Sequence, residues 1–500
     1  MNFVWRPYFG VNYKVRRNMK LKSIWRSTAK EYPRLEKYID RDIVVIGGGI
    51  AGYLTAFRLT EAGQSVTLLE ADRLFSGTTG RTTAKISANQ GSVYADLVRR
   101  YGESVALLYY QAQLDGMKKF EELVRRYDID CDFEKRDGYI FSVEESGKID
   151  ELFQTLRSLG ADCEIVQNEA PFEKATALKM TEQYLFDPLK FLSSLPVEFE
   201  IYENTRAIKV DVVNKLVYTG GGCVKAKKII VATHYPIINP HGNYIMKLRQ
   251  STSYTIAVKE KCSQGMWLEE RAEGLSVRPF REGTLFGGID HRTGRIGKYG
   301  KFEKLTERVK TQFGSVNITN CWAAQDVMTF DGMPMAGKYA KNLKDIYVVT
   351  GFNKWGMTNS MVCASILTDA ILERGNPYAE LFSPSRRIKK AFVPFISNAF
   401  TNISEIFLGY FRFTIKRTSG ILLGQGMIVF YRGKRRAVYR DEDGKLYVLG
   451  RMCPHMHGEL KWNGDTKTWD CPCHGSRFDI YGNILSEPSV KTCKYKQHKK

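Results

Sequence analysis

Residues 42–70 read DIVVIGGGIAGYLTAFRLTEAGQSVTLLE, and no other stretch restricts the fold as tightly. Asp42–Ile46 is a short β-branched run, which predicts a buried parallel strand. Gly47-x-Gly49-x-x-Gly52 follows at once and opens a helical stretch to about Ala62, and Ser65–Glu70 reads as the next strand. Gly47 permits a tight turn, Gly49 lets the backbone approach a pyrophosphate, and Gly52 lets helix and strand pack closely. The helix N-terminus offers free N–H groups and a positive dipole end to phosphates. Glu70 stands at the end of the second strand, where a carboxylate can accept hydrogen bonds from ribose hydroxyls. A lone glycine motif is weak, since a turn that serves packing alone would also produce it. Strand, glycines, helix, strand and terminal carboxylate in this order predict an α/β dinucleotide-binding domain.

Near the C-terminus, Cys453-x-His455 and Cys471-x-x-His474 are separated by fifteen residues. This spacing brings two short loops together, each offering one thiolate and one imidazole. It suits a [2Fe–2S] centre with two Cys on one iron and two His on the other. A Cys2His2 zinc site is the plainer rival, but zinc fingers rarely use Cys-x-His. The flanking GSRFD, with Pro454 and Pro472, resembles the Rieske family from roughly Gly420 onward. By that resemblance His457 and Cys473 fall between ligand positions. The family position that carries the first disulfide cysteine is Gly458 here, so Cys473 has no partner, and the position of a Tyr donor is Phe478. Ser476 remains as a donor to a bridging sulfide. The resemblance therefore implies a potential toward the lower end of the range, roughly −150 to 0 mV.

At 500 residues the chain has room for two or three domains. No window of about eighteen consecutive apolar residues occurs, so no transmembrane helix is expected. The N-terminus lacks an apolar core and cleavage site of the secretory type, and Met19 reads as an alternative start. Six of the ten cysteines, at 131, 163, 223, 262, 321 and 363, are scattered singly, the pattern of buried thiols in a reducing compartment. Cytoplasm is the expected location. The net charge of +21 is spread along the chain without a nucleic-acid motif or stacking platform. A basic surface of this kind suits an acidic electron-acceptor protein, or serves solubility alone.

The segment GTTGRTTAK (Gly77–Lys85), the strand-like KIIVAT (Lys228–Thr233), and DIYVVTG (Asp345–Gly351) leading through FNKWGMTNS into a helix to about Leu372 decide between NAD and FAD. Their order after Glu70 resembles the DAO (D-amino-acid/sarcosine oxidase-like) family of FAD enzymes, over about Lys22–Ser385. The resemblance implies a Rossmann-like FAD/NAD(P)-binding domain with an inserted antiparallel substrate-binding sheet, expected over Val197–Val258, and a small all-β C-terminal Rieske domain. It implies FAD contacts from Gly47, Gly49, Gly52, Glu70, Thr79, Thr83, Gly351, Gly356 and Thr358. Lys354, Trp355 and Tyr254 are weak catalytic candidates, and core packing competes with flavin contact for Trp355 and Met357. His234 and Tyr235 are further residues that could face the pocket. Thr358 stands where relatives often place a substrate-binding Lys, which puts an α-carboxylate substrate in doubt. Cys321 invites comparison with a covalent flavin cysteine, but its register to Trp322 does not match. Gly220–Gly222 is followed by no helix and predicts a hairpin, so no second nucleotide domain is expected.

The expected organisation is an N-terminal extension (1–21), an FAD domain with interleaved substrate-binding part (22–382), a linker (383–417) and a Rieske domain (418–500). Within the linker, FVPFIS and IFLGYF could touch a membrane surface, although a joint packed on the oxidase domain is the favoured reading. The combination implies an FAD-dependent oxidoreductase. It would oxidise an amine or amino acid by hydride transfer and pass electrons singly through Cys453, His455, Cys471 and His474. Two alternatives stand beside it. One is a flavin/iron–sulfur electron carrier or redox sensor. The other is a Rieske oxygenase, for which the His and carboxylate set is poor.

Overall fold

The computed structural model describes residues 20–143, 146–238, 241–295, 300–386 and 417–494. Residues 1–19 of the expected extension (1–21) and both linker motifs lie outside the described residues. The β-branched run of Tyr38–Ile46 forms the middle of an eight-stranded sheet, flanked in parallel by Val66–Leu69 and Cys223–Val231. Ile346–Thr350 pairs in parallel with Cys223–Val231, and Glu200–Tyr202 with Val66–Leu69. Met335–Lys338 closes one edge antiparallel. Helices Ile50–Glu61, Glu103–Arg126 and Gly356–Ile371 contribute to one large core on this sheet. The hairpin at Gly220–Gly222 joins Leu216–Thr219 to Cys223–Val231, as its glycines predict.

A second, nine-stranded sheet begins at the edge strand Ile318–Thr329 and continues through Leu248–Val258, Gly283–Arg292, Ser276–Phe280, Met266–Glu269, Glu134–Ser142 and Thr176–Leu185. The expected substrate-binding sheet over Val197–Val258 is corrected here. Of that span only Leu248–Val258 belongs to the second sheet, while Glu200–Tyr202 and Cys223–Val231 join the nucleotide sheet. The reason is burial on both faces: Ile229, Ile230 and Val231 are all fully buried, and such a run fits a central parallel strand rather than a one-sided one.

The C-terminal part is all β. It has a three-stranded sheet (Gln425–Tyr431, Lys434–Arg440, Leu446–Leu449) and a four-stranded one (Lys461–Asn463, Thr468–Asp470, Arg477–Phe478, Ile484–Ser486). Trp462, Trp469, Tyr439 and Phe478 pack in its core together with Cys453 and Cys471. At the other end of the joint, the buried Arg386 grips Asp331 with bonds of 2.6 and 2.8 Å, which anchors the end of the first domain. No helix among the described residues is long and apolar enough to cross a membrane.

Candidate active site and cluster site

Backbone geometry accounts for the glycines of the first turn. Gly47 has φ +112°, and a Cβ there would lie 2.4 Å from the Ala232 carbonyl oxygen. A Cβ on Gly52 would lie 2.0 Å from the Gly47 carbonyl oxygen, so helix and turn touch through it. Gly49 is different: a Cβ there meets only Thr79 Oγ1, at 3.3 Å, and otherwise faces open space. Thr79 Oγ1 accepts the Ile50 N–H at 2.9 Å and thereby sits at the helix N-terminus. Glu70 accepts the Gly48 N–H at 2.7 Å and the Asp72 N–H at 2.8 Å. Burial pushes its carboxyl up to about 7 against those two bonds. A buried carboxyl of this kind suits hydroxyl donors such as those of a ribose.

These residues line a cavity of about 400 Å³ that runs from Gly47, Gly49 and Glu70 past Thr79 and Thr83 to Gly351, Gly356 and Met357. Two helix N-termini, at Ile50 and Gly356, open on it. One suits a pyrophosphate and the other the negative edge of a reduced flavin. The open space over Gly49 and the two positive helix ends fit FAD. Gly351 takes φ +77° against Thr329, and Asn353 and Lys354 are also left-handed, at φ +50° and +71°. Asn353 pins this turn by accepting the Thr329 N–H at 2.8 Å and donating to the Gly351 carbonyl at 2.9 Å. Sequence reasoning missed Asn353; an Asn within a glycine-bounded turn was the available signal.

The catalytic candidates separate. Trp355 and Lys354 line the cavity, and Lys354 Nζ pairs with Asp290 at 2.8 Å. Tyr254 does not line it. Along Leu248–Val258, Ser253 and Thr255 face the cavity, so the alternation of a strand turns Tyr254 to the other side. There its hydroxyl accepts a hydrogen bond from Asn463 of the C-terminal domain at 3.3 Å. Thr358 is likewise displaced from the cavity: it accepts the Ser87 N–H at 3.0 Å and is 1% exposed. One helical turn beyond Trp355, its side chain falls on the buried face. Gly52 also stays behind the wall, in its packing role. His234 lines the cavity, whereas Tyr235 is a core residue whose hydroxyl reaches the Tyr244 carbonyl. Cys321 packs in the core on the far face of the second sheet.

Three charged residues of the cavity wall were not among the site candidates. Burial raises the Asp326 carboxyl to about 6. Burial also tends to raise Asp290, but Lys354 outweighs it and holds that carboxyl below its ordinary value. Lys85 donates to Ser276 Oγ at 2.8 Å and to the Trp267 carbonyl at 3.1 Å, and burial lowers its ammonium to about 7. They come from separate strands, so only their convergence marks them.

In the C-terminal domain the two Cys–His loops meet. The His455 and His474 rings lie 5.1 Å apart at 87°, and the Cys453 and Cys471 thiols are within hydrogen-bonding reach of each other. Two rings can thus converge on one ion and two thiolates on a second. No group of three or more His, Cys, Asp or Glu converges on a single ion among the described residues. His457 is exposed, with φ +57°. Cys473 is buried and outside any disulfide, and a Cβ on Gly458 would lie 2.5 Å from its sulfur, where a bridging cysteine would otherwise stand. Ser476 is fully buried, accepts the Ser489 N–H at 3.0 Å and reaches the Cys453 thiol. Phe478 is fully buried in the same core and offers no donor. Phe478→Tyr should therefore raise the midpoint potential of the cluster, because a hydrogen bond to sulfur stabilises the reduced state. Protein-film voltammetry checks this, and a wild-type midpoint near the top of the Rieske range would refute the low-potential assignment.

Residues 42–370 match the family of FAD-dependent oxidoreductases (DAO), and residues 413–496 match the Rieske [2Fe–2S] domain. A Rieske 2Fe-2S iron–sulfur protein of Bacillus subtilis (strain 168), YhfW, is 32% identical over 482 residues, covering 93% of this chain and 94% of that one. Gamma-glutamylputrescine oxidoreductase of Escherichia coli (strain K12) is 22% identical over 72% of this chain and 91% of its own. Among solved structures, glycine oxidase from Geobacillus kaustophilus superimposes with a TM-score of 0.59 at 17% identity, over 70% of this chain and 99% of that chain. With the cradle for FAD and the paired Cys–His loops in place, the chain belongs to the FAD-dependent oxidoreductase (DAO) family and carries a C-terminal Rieske domain for a [2Fe–2S] cluster.

Proposed function

We propose that the protein oxidises an amine or amino acid at its flavin and hands the electrons singly through the Rieske cluster to an acidic acceptor protein. One observation carries this reading: the cavity wall is completed by Ile484, Leu485, Glu487 and Val490 of the Rieske domain. The two redox domains share a wall, and Glu487 is fastened to Arg206 of the FAD domain at 2.6 Å.

Bound FAD supplies a hydride acceptor for a C–H bond beside nitrogen. The chain's own residues must bind the amine, free it of its extra proton and exclude water. Trp355 and Met357 give the cavity an apolar wall. Asp326, with its carboxyl near 6, and Lys85, with its amine near 7, can each exchange a proton with substrate at neutral pH. With Asp326 as acceptor of the ammonium proton, flavin reduction should rise roughly tenfold per pH unit below about 6 and level off above it. Asp326→Asn should remove that limb in stopped-flow assays, and a profile unchanged in the variant would dismiss Asp326 from this role. The gamma-glutamylputrescine oxidoreductase relative, by name an enzyme of an amine-containing compound, supports the substrate class. The net charge of +21 supports an acidic acceptor.

The deciding experiment is anaerobic. Amines and amino acids are added in turn to the purified holoprotein while flavin absorbance and the Rieske EPR signal are followed. Bleaching followed by cluster reduction is the expected result. Reduction by a protein donor or dithionite alone would instead make the protein an electron carrier.

A further inference from the structure

The second sheet is a partition. Along Leu248–Val258, Ser253 and Thr255 face the flavin cavity, while Gln250 and Tyr254 reach the Rieske domain on the opposite face. Along the edge strand Ile318–Thr329, Ala324 and Asp326 face the cavity and Gln325 points the other way. Strand alternation thus assigns neighbouring residues to two redox compartments.

Gln325 touches both. Its backbone carbonyl accepts the Thr78 hydroxyl at 2.9 Å and the His234 ring, and both of those residues line the cavity. Its side-chain Nε2 donates to the Gly475 carbonyl at 2.7 Å, one residue from the cluster ligand His474. Its Oε1 accepts the Ser486 hydroxyl. Beside it, Gln250 Nε2 donates at 2.8 Å to the carbonyl of His474 itself and at 2.8 Å to that of Glu487. Both glutamines are buried, at 2% and 4% exposure, so water does not compete for these bonds. The fit leaves no slack: Gly475 has φ +84°, and a Cβ there would lie 2.7 Å from Gln250 Cβ. A Cβ on Gly294 would similarly strike the Pro472 backbone at 2.4 Å. The second ligand loop is pressed on the back of the sheet that walls the flavin cavity. His455, on the first loop, is only partly buried, next to exposed Met456 and His457.

We propose that Gln325, assisted by Gln250, is the positioning residue that couples the flavin cavity to the cluster, carrying electrons across the sheet on the His474 side. This rests on the reading that flavin electrons leave through the cluster. Oxidation of R–CH2–NH2 to R–CH=NH releases two electrons and two protons. The protons pass to solvent. The electrons cross one at a time, each turning one ferric iron of the cluster ferrous, and a one-electron acceptor protein reoxidises the cluster twice per substrate. A covalent strand joined by two short hydrogen bonds to the ligand loop couples the sites better than an equal gap across space.

The test uses full-length holoprotein and bypasses the substrate. Bound flavin is flash-photoreduced anaerobically with EDTA as donor, and cluster reduction is timed by its absorbance. Gln325→Met and Gln250→Met keep side-chain volume and lose the N–H donors. Each should slow cluster reduction about tenfold or more, with g-values and flavin content at wild-type values; a purely packing role would move cluster content and g-values with the rate. Rates are taken on the cluster-loaded fraction, read from EPR amplitude, so partial loss of cluster does not obscure the result. Rates within twofold of wild type in both variants would overturn the proposal. A wild-type protein whose photoreduced flavin never reduces the cluster would instead remove the underlying reading of flavin-to-cluster transfer.

Discussion

His474→Ala should abolish the Rieske EPR signal while the flavin spectrum stays in place. The imidazole of His474 is 3% exposed and faces that of His455 at 5.1 Å, the pair that would share one iron. Truncation leaves that iron with a single protein ligand, inside a loop that Gln250 holds by its backbone and so cannot offer a substitute. Loss of a group that only orients a metal ligand already costs on the order of 10–100-fold in metal affinity, and loss of the ligand itself should exceed about 100-fold. The flavin cradle is built from Gly47, Gly49, Ile50, Glu70, Thr79 and Gly351–Met357, none of which depends on this ring. His457→Ala is the control. His457 is exposed, and its bond to the Cys453 carbonyl comes from the backbone N–H at 3.0 Å, which Ala retains. Equal loss of signal in His457→Ala would overturn the ligand assignment.

Gly49→Val should give a protein that purifies with its cluster and without FAD. Gly49 is extended, at φ −76° and ψ 175°, so Val can adopt its backbone without strain. Only Thr79 Oγ1 stands near the new Cβ, and the branched methyls must then occupy the space over the helix N-terminus. That space is where the pyrophosphate has to approach the backbone. Gly52→Val would be a poorer probe, because its Cβ would meet the Gly47 carbonyl at 2.0 Å and break the turn itself. The expected loss for Gly49→Val is at least about 1.4 kcal/mol of FAD binding, a tenfold rise in Kd, and steric exclusion should take it well beyond that. The flavin-to-protein ratio after purification and a reconstitution titration measure it. Full flavin occupancy would remove the argument that the backbone at Gly49 holds the dinucleotide.

Sequence alone determined the features that are local. Strand, glycine turn, helix and carboxylate over residues 42–70 lie close in the chain, and their spacing states their geometry. The meeting of the Cys453-x-His455 and Cys471-x-x-His474 loops was equally legible, since each is short and repeats the same pair of residue types. The hairpin at Gly220–Gly222 and the helices after Gly49 and Trp355 followed from the same short-range rules. What escaped was everything set by which face a residue occupies. Alternation says that Tyr254 and Thr255 oppose each other, but not which of them meets the cavity; the docking of the Rieske domain on the far side decides that. Thr358 was misplaced for the helical version of the same reason, its turn being rotated onto Ser87. Asp290, Asp326 and Lys85 were not marked as site residues, because they stand on three different strands and acquire their shared cavity and shifted protonation only by burial together. Cys223–Val231 went to the nucleotide sheet by pairing with the distant Tyr38–Ile46, beside which Ile229, Ile230 and Val231 are fully buried. Chemistry was therefore written in short spacings along the chain, whereas the contact between its two redox sites exists only where long-range packing sets one sheet between them.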